Sequence, residues 1–408
     1  MIATLTPVFN NKMEVAAYSI FTEKAARLLD PGMSQQMTFD GAAFVDGFEI
    51  VKNLGIETLT DDKEVFVEVN RIALFGDLAS QVPKPHERIV LLLDASVDPE
   101  EEIELKLRAL KEEGFRLAMQ NLAVNRFEAY RQILQLMDYV LLDQKKVAVK
   151  KAKLYFNQIH PNVKLCAVNV DSVEDYKELT AEGRFDLYEG QFFRMPVRDS
   201  ETDVSPIKMN YLRLLNTVNE PDYDLTDAAA VIERDAALIV SLLGTVNRLV
   251  PEEVTGIRQA AALLGQKELK KWINTAVTKE LCADKPSEIM RMSLLRAGFA
   301  ERLGSLYELE MMKDELFLMG LFSVVDIMLD KPMEEALEMV HLSERIDQAL
   351  LKKNGELAPV LLTVLRYENA DWAEVSRLLL KHDIEPGAVY QAYLETLKWY
   401  REVFATLS

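Results

Sequence analysis

The chain has 408 residues, enough for two domains that each bury a core. With 49% hydrophobic and 28% charged residues, it is not a low-complexity or largely disordered sequence. Lys and Arg number 47 against 66 Asp and Glu, and a formal charge of −19 repels phosphate backbones, so nucleic acid is not an expected partner. Cys166 and Cys282 lie far apart in apolar runs, which suits free buried thiols in a reducing compartment. The opening Met1–Pro7 has no basic region followed by an apolar run, so no signal peptide is expected. No apolar run reaches the ~18 residues of a membrane helix. The expectation is a cytoplasmic protein with no membrane partner.

The first half reads as alternating strands and helices. Strands are expected around Glu14–Phe21, Val65–Val69 and Arg88–Leu93. Asp98-Pro99-Glu100-Glu101 is a helix start, with Asp as N-cap and Pro at the first position, and Gly114 is the stop. Strand Phe115–Met119, helix Phe127–Leu136, strand Tyr139–Leu142 and helix Lys145–Asn157 follow. Strand Lys164–Val168, helix Ser172–Ala181 and strand Phe185–Tyr188 complete the pattern. This alternation predicts a parallel sheet, closed or nearly closed into a barrel. A polar, proline-bounded stretch from Met195 to Pro206 reads as a linker.

Beyond it the sequence carries helix signals only. Asp235 precedes Ala236–Leu243, and Thr255 precedes Ile257–Leu264, which stops at Gly265. Ser287-Glu288 and Ser343-Glu344 open later helices. The expected fold class is therefore α/β plus all-α: a TIM-barrel-like (β/α) domain over residues 1–197 and a helical domain over 206–408.

In an α/β barrel, chemistry sits at the C-terminal ends of the strands. A two-metal hydrolase needs several carboxylates there, because hard divalent cations take oxygen ligands. These ends carry mostly leucine, valine and amides; Asn70, Asp143 and Glu189 alone offer oxygen ligands.

Several segments resemble an EAL domain, the barrel that hydrolyses cyclic di-GMP in bacterial signalling. They are Pro7–Asn10 with Val15–Phe21, Phe66–Asn70, Arg88–Leu92, Gly114–Leu122 and Glu189–Phe193. The resemblance implies where the metal ligands and catalytic groups would fall. The family's naming glutamate aligns with Ser19, and a metal-binding glutamate with Leu92. The paired aspartates align with Gln120 and Asn121, the catalytic lysine with Leu141, and a further glutamate with Val168. Asn70, Asp143 and, by position, Glu189 survive. The second half resembles an HDOD domain, a helical relative of the HD phosphohydrolases. Ile232–Leu238, Val246-Asn247, Ile257–Gly265 and Met319–Asp326 carry that likeness. Where an HD enzyme has its His-Asp pair, this chain has Ser323-Val324. The two-domain order itself is that of the EAL–HDOD signalling family.

Other signals have plainer readings. His382-Asp383 is an HD dipeptide, but it sits at a helix end entering a Pro-Gly turn, without partner histidines. Lys145–Lys153 reads as a solvated basic helix face. Met311–Met319 reads as helical core, and Trp372, Trp399 and Tyr400 read equally as an interface anchor or as helix packing. No catalytic constellation, metal site or cofactor is expected. The functional expectation is an inactive signal-transduction protein acting through protein partners. The alternatives are a non-catalytic cyclic di-GMP receptor, for which Arg71, Phe75 and Arg194 are candidates, and a residual phosphodiesterase built on Asn70, Asp143 and Glu189.

Overall fold

The computed structural model describes residues 1–24, 28, 44–183, 185–194, 204–220, 223–250 and 253–407. Most of the expected linker, positions 195–203, lies outside these residues. Two compact units form: Met1–Met195 with Arg366–Gln391, and Pro196–Leu365 with Ala392–Ser408. Residues 366–391, placed in the helical domain from the sequence, thus pack with the barrel. Within that unit, Tyr367 Oη donates to the Ala3 carbonyl at 2.9 Å.

The first unit holds a closed eight-stranded barrel. Its strands are β1 (Ile2–Asn10), β2 (Val15–Glu23), β3 (Glu64–Val69), β4 (Ile89–Asp94), β5 (Arg116–Gln120), β6 (Tyr139–Asp143), β7 (Lys164–Val168) and β8 (Leu187–Glu189). β1 runs antiparallel to both β2 and β8, and the remaining neighbours are parallel. The reversal is made by a tight turn in which Asn10 Oδ1 accepts from the Lys12 and Glu14 amides at 2.8 and 3.1 Å.

Strand side chains alternate between two faces, so every second residue points inward. Ala17, Phe66, Val90, Leu92, Ala118, Tyr139, Leu141, Cys166 and Leu187 form this buried interior. Phe66 and Tyr139 meet edge to face at 5.2 Å. The end opposite the mouth is tied by polar groups: Tyr139 Oη donates to Glu64 at 2.6 Å and accepts from Arg116 at 3.2 Å. Burial and then the Glu64 carboxylate push the Tyr139 hydroxyl far above its ordinary range.

Local starts differ from expectation in places. The helix anticipated from Asp98 begins at Glu101, and Asp98 instead pairs with Arg126 at 3.2 Å. The long-range guanidinium contact displaces the local cap. The helix expected over Phe127–Leu136 is Arg131–Leu136. The basic helix is Val149–Ile159, so Lys145 and Lys146 lie in the preceding turn, where each finds a carboxylate.

The helical unit shows the expected Asp235 cap, whose Oδ1 accepts from Ala237 and Leu238 at 2.9 and 3.0 Å. The stop expected at Gly265 is present: within Ile257–Leu281 the backbone is non-helical there, at φ 76° and ψ 167°, and a second helical stretch follows the kink. Helix Lys313–Leu321 packs on helix Ser287–Leu306 at Gly320, where an added Cβ would lie 2.4 Å from the Arg296 carbonyl oxygen. Met319 is buried, but Met311, read from sequence as core, is almost fully exposed on the short turn before that helix. Trp399 packs edge-on to Phe317 at 5.9 Å. Both cysteines are free and buried.

Candidate functional site

The C-terminal ends of the parallel strands β2–β8 define the mouth of the barrel. Alternation brings Ser19, Glu68, Leu92, Asp94, Gln120, Leu141, Asp143, Val168 and Glu189 to its inner wall. Ser19 Oγ donates to Glu189 Oε2 at 2.9 Å. Burial raises the Glu189 carboxyl above the ordinary glutamate range, and the Ser19 hydrogen bond offsets only part of that.

Asp143 is buried and fully engaged. Its oxygens accept from the Lys145 amide at 3.0 Å, the Asn169 side chain at 2.9 Å and Lys146 Nζ at 3.0 Å. Burial works upward on this carboxyl, but the bonds from Lys146 and Lys145 outweigh it and hold it below the usual aspartate range. Asn70 is a helix cap: its Oδ1 accepts from the Ala73 amide at 2.8 Å at the start of helix Arg71–Leu74.

Leu92 and Leu141 are buried in the interior cluster, and Val168 packs against it. Gln120 Nε2 reaches Glu68 at 3.4 Å, and Asn121 Nδ2 donates to Asp94 at 2.8 Å. Burial raises the Glu68 carboxyl, with the neighbouring Asp94 as a second cause. Asp94 itself is held low: burial is outweighed by donors on Asn121 and Ser96. Glu68 and Asp94 were missed as site residues. Inward parity reveals them, because each lies two positions beyond a core residue, Phe66 and Leu92 respectively.

Two hard divalent cations do not fit this donor set. The wall at positions 92, 141 and 168 is aliphatic, the Glu68 and Asp94 carboxylates already accept from the Gln120 and Asn121 amides, and Asp143 is charge-paired. Among the described residues no group of three or more His, Cys, Asp or Glu side chains is arranged to hold a metal. Of the receptor candidates, Arg71 is paired with Glu100, its Nη1 lying 3.0 Å from a carboxylate oxygen. Arg194 lies 2.8 Å from Glu368 and 2.8 Å from Asn369. Phe75 is exposed on the rim.

The HDOD domain family matches residues 205–356. Over nearly its full length the chain is homologous to CdgJ of Vibrio cholerae serotype O1 (strain ATCC 39315 / El Tor Inaba N16961), a cyclic di-GMP phosphodiesterase. The two are 24% identical over 403 residues, covering 97% of this chain and 91% of CdgJ. In chain order, a closed eight-stranded barrel is thus followed by a segment that matches the HDOD domain. YuxH of Bacillus subtilis (strain 168) is 27% identical over 404 residues, covering 96% of each chain. Among solved structures, the EAL-like protein YdiV (12% identity, TM-score 0.34) covers 47% of this chain and 89% of its own. The EAL domain of Mycobacterium smegmatis DcpA (14% identity, TM-score 0.36) covers 46% and 89%. No described helix is long and apolar enough to cross a membrane.

Proposed function

We propose that this protein is a catalytically inactive signal-transduction protein that works by binding protein partners. Its working parts are an EAL-type barrel over residues 1–197, with 366–391 packed in the same unit, and an HDOD domain over the remainder of residues 206–408. One observation carries the reading. Where the family's chemistry needs charged ligands, Leu92, Leu141 and Val168 instead complete the apolar packing of the barrel interior. Hydrolysis of a phosphodiester by metal-activated water requires both cations held by oxygen ligands, and a leucine supplies none. Ser323, in place of the HD pair, accepts from Arg296 at 3.1 Å and donates to the Gly320 carbonyl at 2.7 Å, which is helix packing.

A receptor that holds cyclic di-GMP without cleaving it needs free cations at the mouth to meet two phosphates. Arg71 and Arg194 are engaged by Glu100 and Glu368, which favours the partner-binding reading. The test incubates purified full-length protein with cyclic di-GMP and Mg²⁺ or Mn²⁺, and also titrates the nucleotide by calorimetry. No turnover and no heat are expected. Turnover abolished by Asp143→Asn would overturn the reading, and saturable micromolar binding without turnover would replace it with the receptor.

A further inference from the structure

The helical unit contains a cavity of about 440 Å³ that includes Tyr223, Lys267, Lys270, Lys271, Phe317 and Leu318 in its wall. That volume is within the range of small-molecule sites, roughly 300–1,000 Å³. Three lysines face it from one side of helix Ile257–Leu281, because positions i, i+3 and i+4 share a helix face. Two of them are neutralised: Lys267 by Asp314 at 3.1 Å, and Lys271 by Glu301 at 2.7 Å. Among the described residues Lys270 has no ion pair or hydrogen bond to its ammonium. The nearest feature is the Tyr223 ring, its centroid 5.9 Å away. Lys270 is half-buried, and burial lowers its pKa, with the Asp314 charge only partly opposing. A partly desolvated cation facing an open cavity is stabilised by an entering anion.

The surroundings narrow the anion. Lys270 is the one lysine left after the two ion pairs; of the other carboxylates in the wall, Glu315 is itself paired with Arg345 at 3.4 Å, and Glu220 sets a limit of one negative charge by repelling a doubly charged group. Phe317 and Leu318 supply an apolar wall. We propose that this cavity binds a small monoanionic organic molecule, a carboxylate whose acid group meets Lys270 Nζ and whose apolar body lies against Phe317 and Leu318. This site is independent of the barrel and of the reading proposed above.

The test titrates 2-naphthoate into the full-length protein by calorimetry, with neutral 2-naphthamide and inorganic phosphate as comparison probes. Saturable one-to-one binding of naphthoate is expected, with the amide at least ten-fold weaker. Lys270→Met should weaken naphthoate at least ten-fold, and Lys270→Arg should retain it. Leu318→Trp, which fills the cavity and leaves Lys270 in place, should also abolish binding, so the proposal stays testable if Lys270→Met fails to fold. Absence of saturable binding, equal affinity for the amide, indifference to both Lys270→Met and Leu318→Trp, or displacement by equimolar phosphate would overturn it.

Discussion

The barrel mouth and the helical cavity make opposite use of polar side chains. At the mouth, where an α/β barrel ordinarily does chemistry, the polar groups are mutually satisfied: Ser19 with Glu189, Asn121 with Asp94, and Asp143 with Lys146 and Asn169. In the helical unit no sequence motif points to a site, yet the cavity there faces Lys270, a cation with no counter-ion among the described residues. A fold's usual active-site position and a chain's unsatisfied charge are therefore separate clues, and here they fall in different units.

The contrast can be tested by substitution. Leu92→Glu or Leu141→Lys puts a lone charge into the apolar interior and should cost about 3–5 kcal/mol, as an unpaired buried charge does. Denaturant titration reads the loss, and neither variant should acquire cyclic di-GMP turnover, because the other ligand positions stay empty of charge. Gly190→Ala is next. The residue sits at φ 156°, and its added Cβ would lie 2.0 Å from the Val170 carbonyl oxygen. Forcing the β7–β8 connections apart should cost about 3 kcal/mol. Gly320→Ala should do comparable damage in the helical unit alone, so two calorimetric transitions moving separately would confirm that each unit has its own core. A single transition shifted equally by both would break the comparison.

Ser19→Ala removes the hydroxyl that donates to Glu189 and should cost about 1 kcal/mol. The pH dependence of Glu189 follows from its raised folded-state pKa. The folded state then binds the proton more tightly than the unfolded chain, so its contribution falls as pH rises from about 4.3 through the folded value. Unfolding midpoints at pH 5 and pH 7.5 should therefore differ less in Glu189→Gln than in the parent. A larger difference in the variant would contradict the assignment. The smallest effect belongs to Lys146→Ala. Its side chain is largely exposed, so its pairing with Asp143 should contribute under about 0.5 kcal/mol. A loss of several kcal/mol would mean that the mouth is held by that ion pair and not by hydrogen bonds.

Seven of the eight barrel strands, all but β1, were readable because their pattern is local: β-rich runs bounded by caps such as Gly114 and Gly183, both at positive φ. The Asp235 cap was readable for the same reason, since a carboxylate two and three residues from its donors needs no tertiary partner. Asp98 shows the limit: its local capping signal lost to Arg126, nearly thirty residues away. Glu68 and Asp94 were overlooked because alternation says which residues share a face, and only closure of the sheet says that the face is an enclosed mouth. Arg194 looked available as a cation, and Glu368 beside it belongs to a segment that the sequence placed in the other domain.

The sequence by itself determined the class of the molecule. Period-two and capped helical patterns, the acidic composition and the missing charges at positions 19, 92, 120, 121, 141 and 168 are properties of neighbouring residues, and short-range physics is enough to read them. The tertiary structure alone decided which polar groups are satisfied. Lys267, Lys270 and Lys271 are indistinguishable along the helix; two found Asp314 and Glu301 only because separate helices brought those carboxylates within about 3 Å. Charge compensation depends on distances set by the packing of elements far apart in the chain, and no local pattern encodes them.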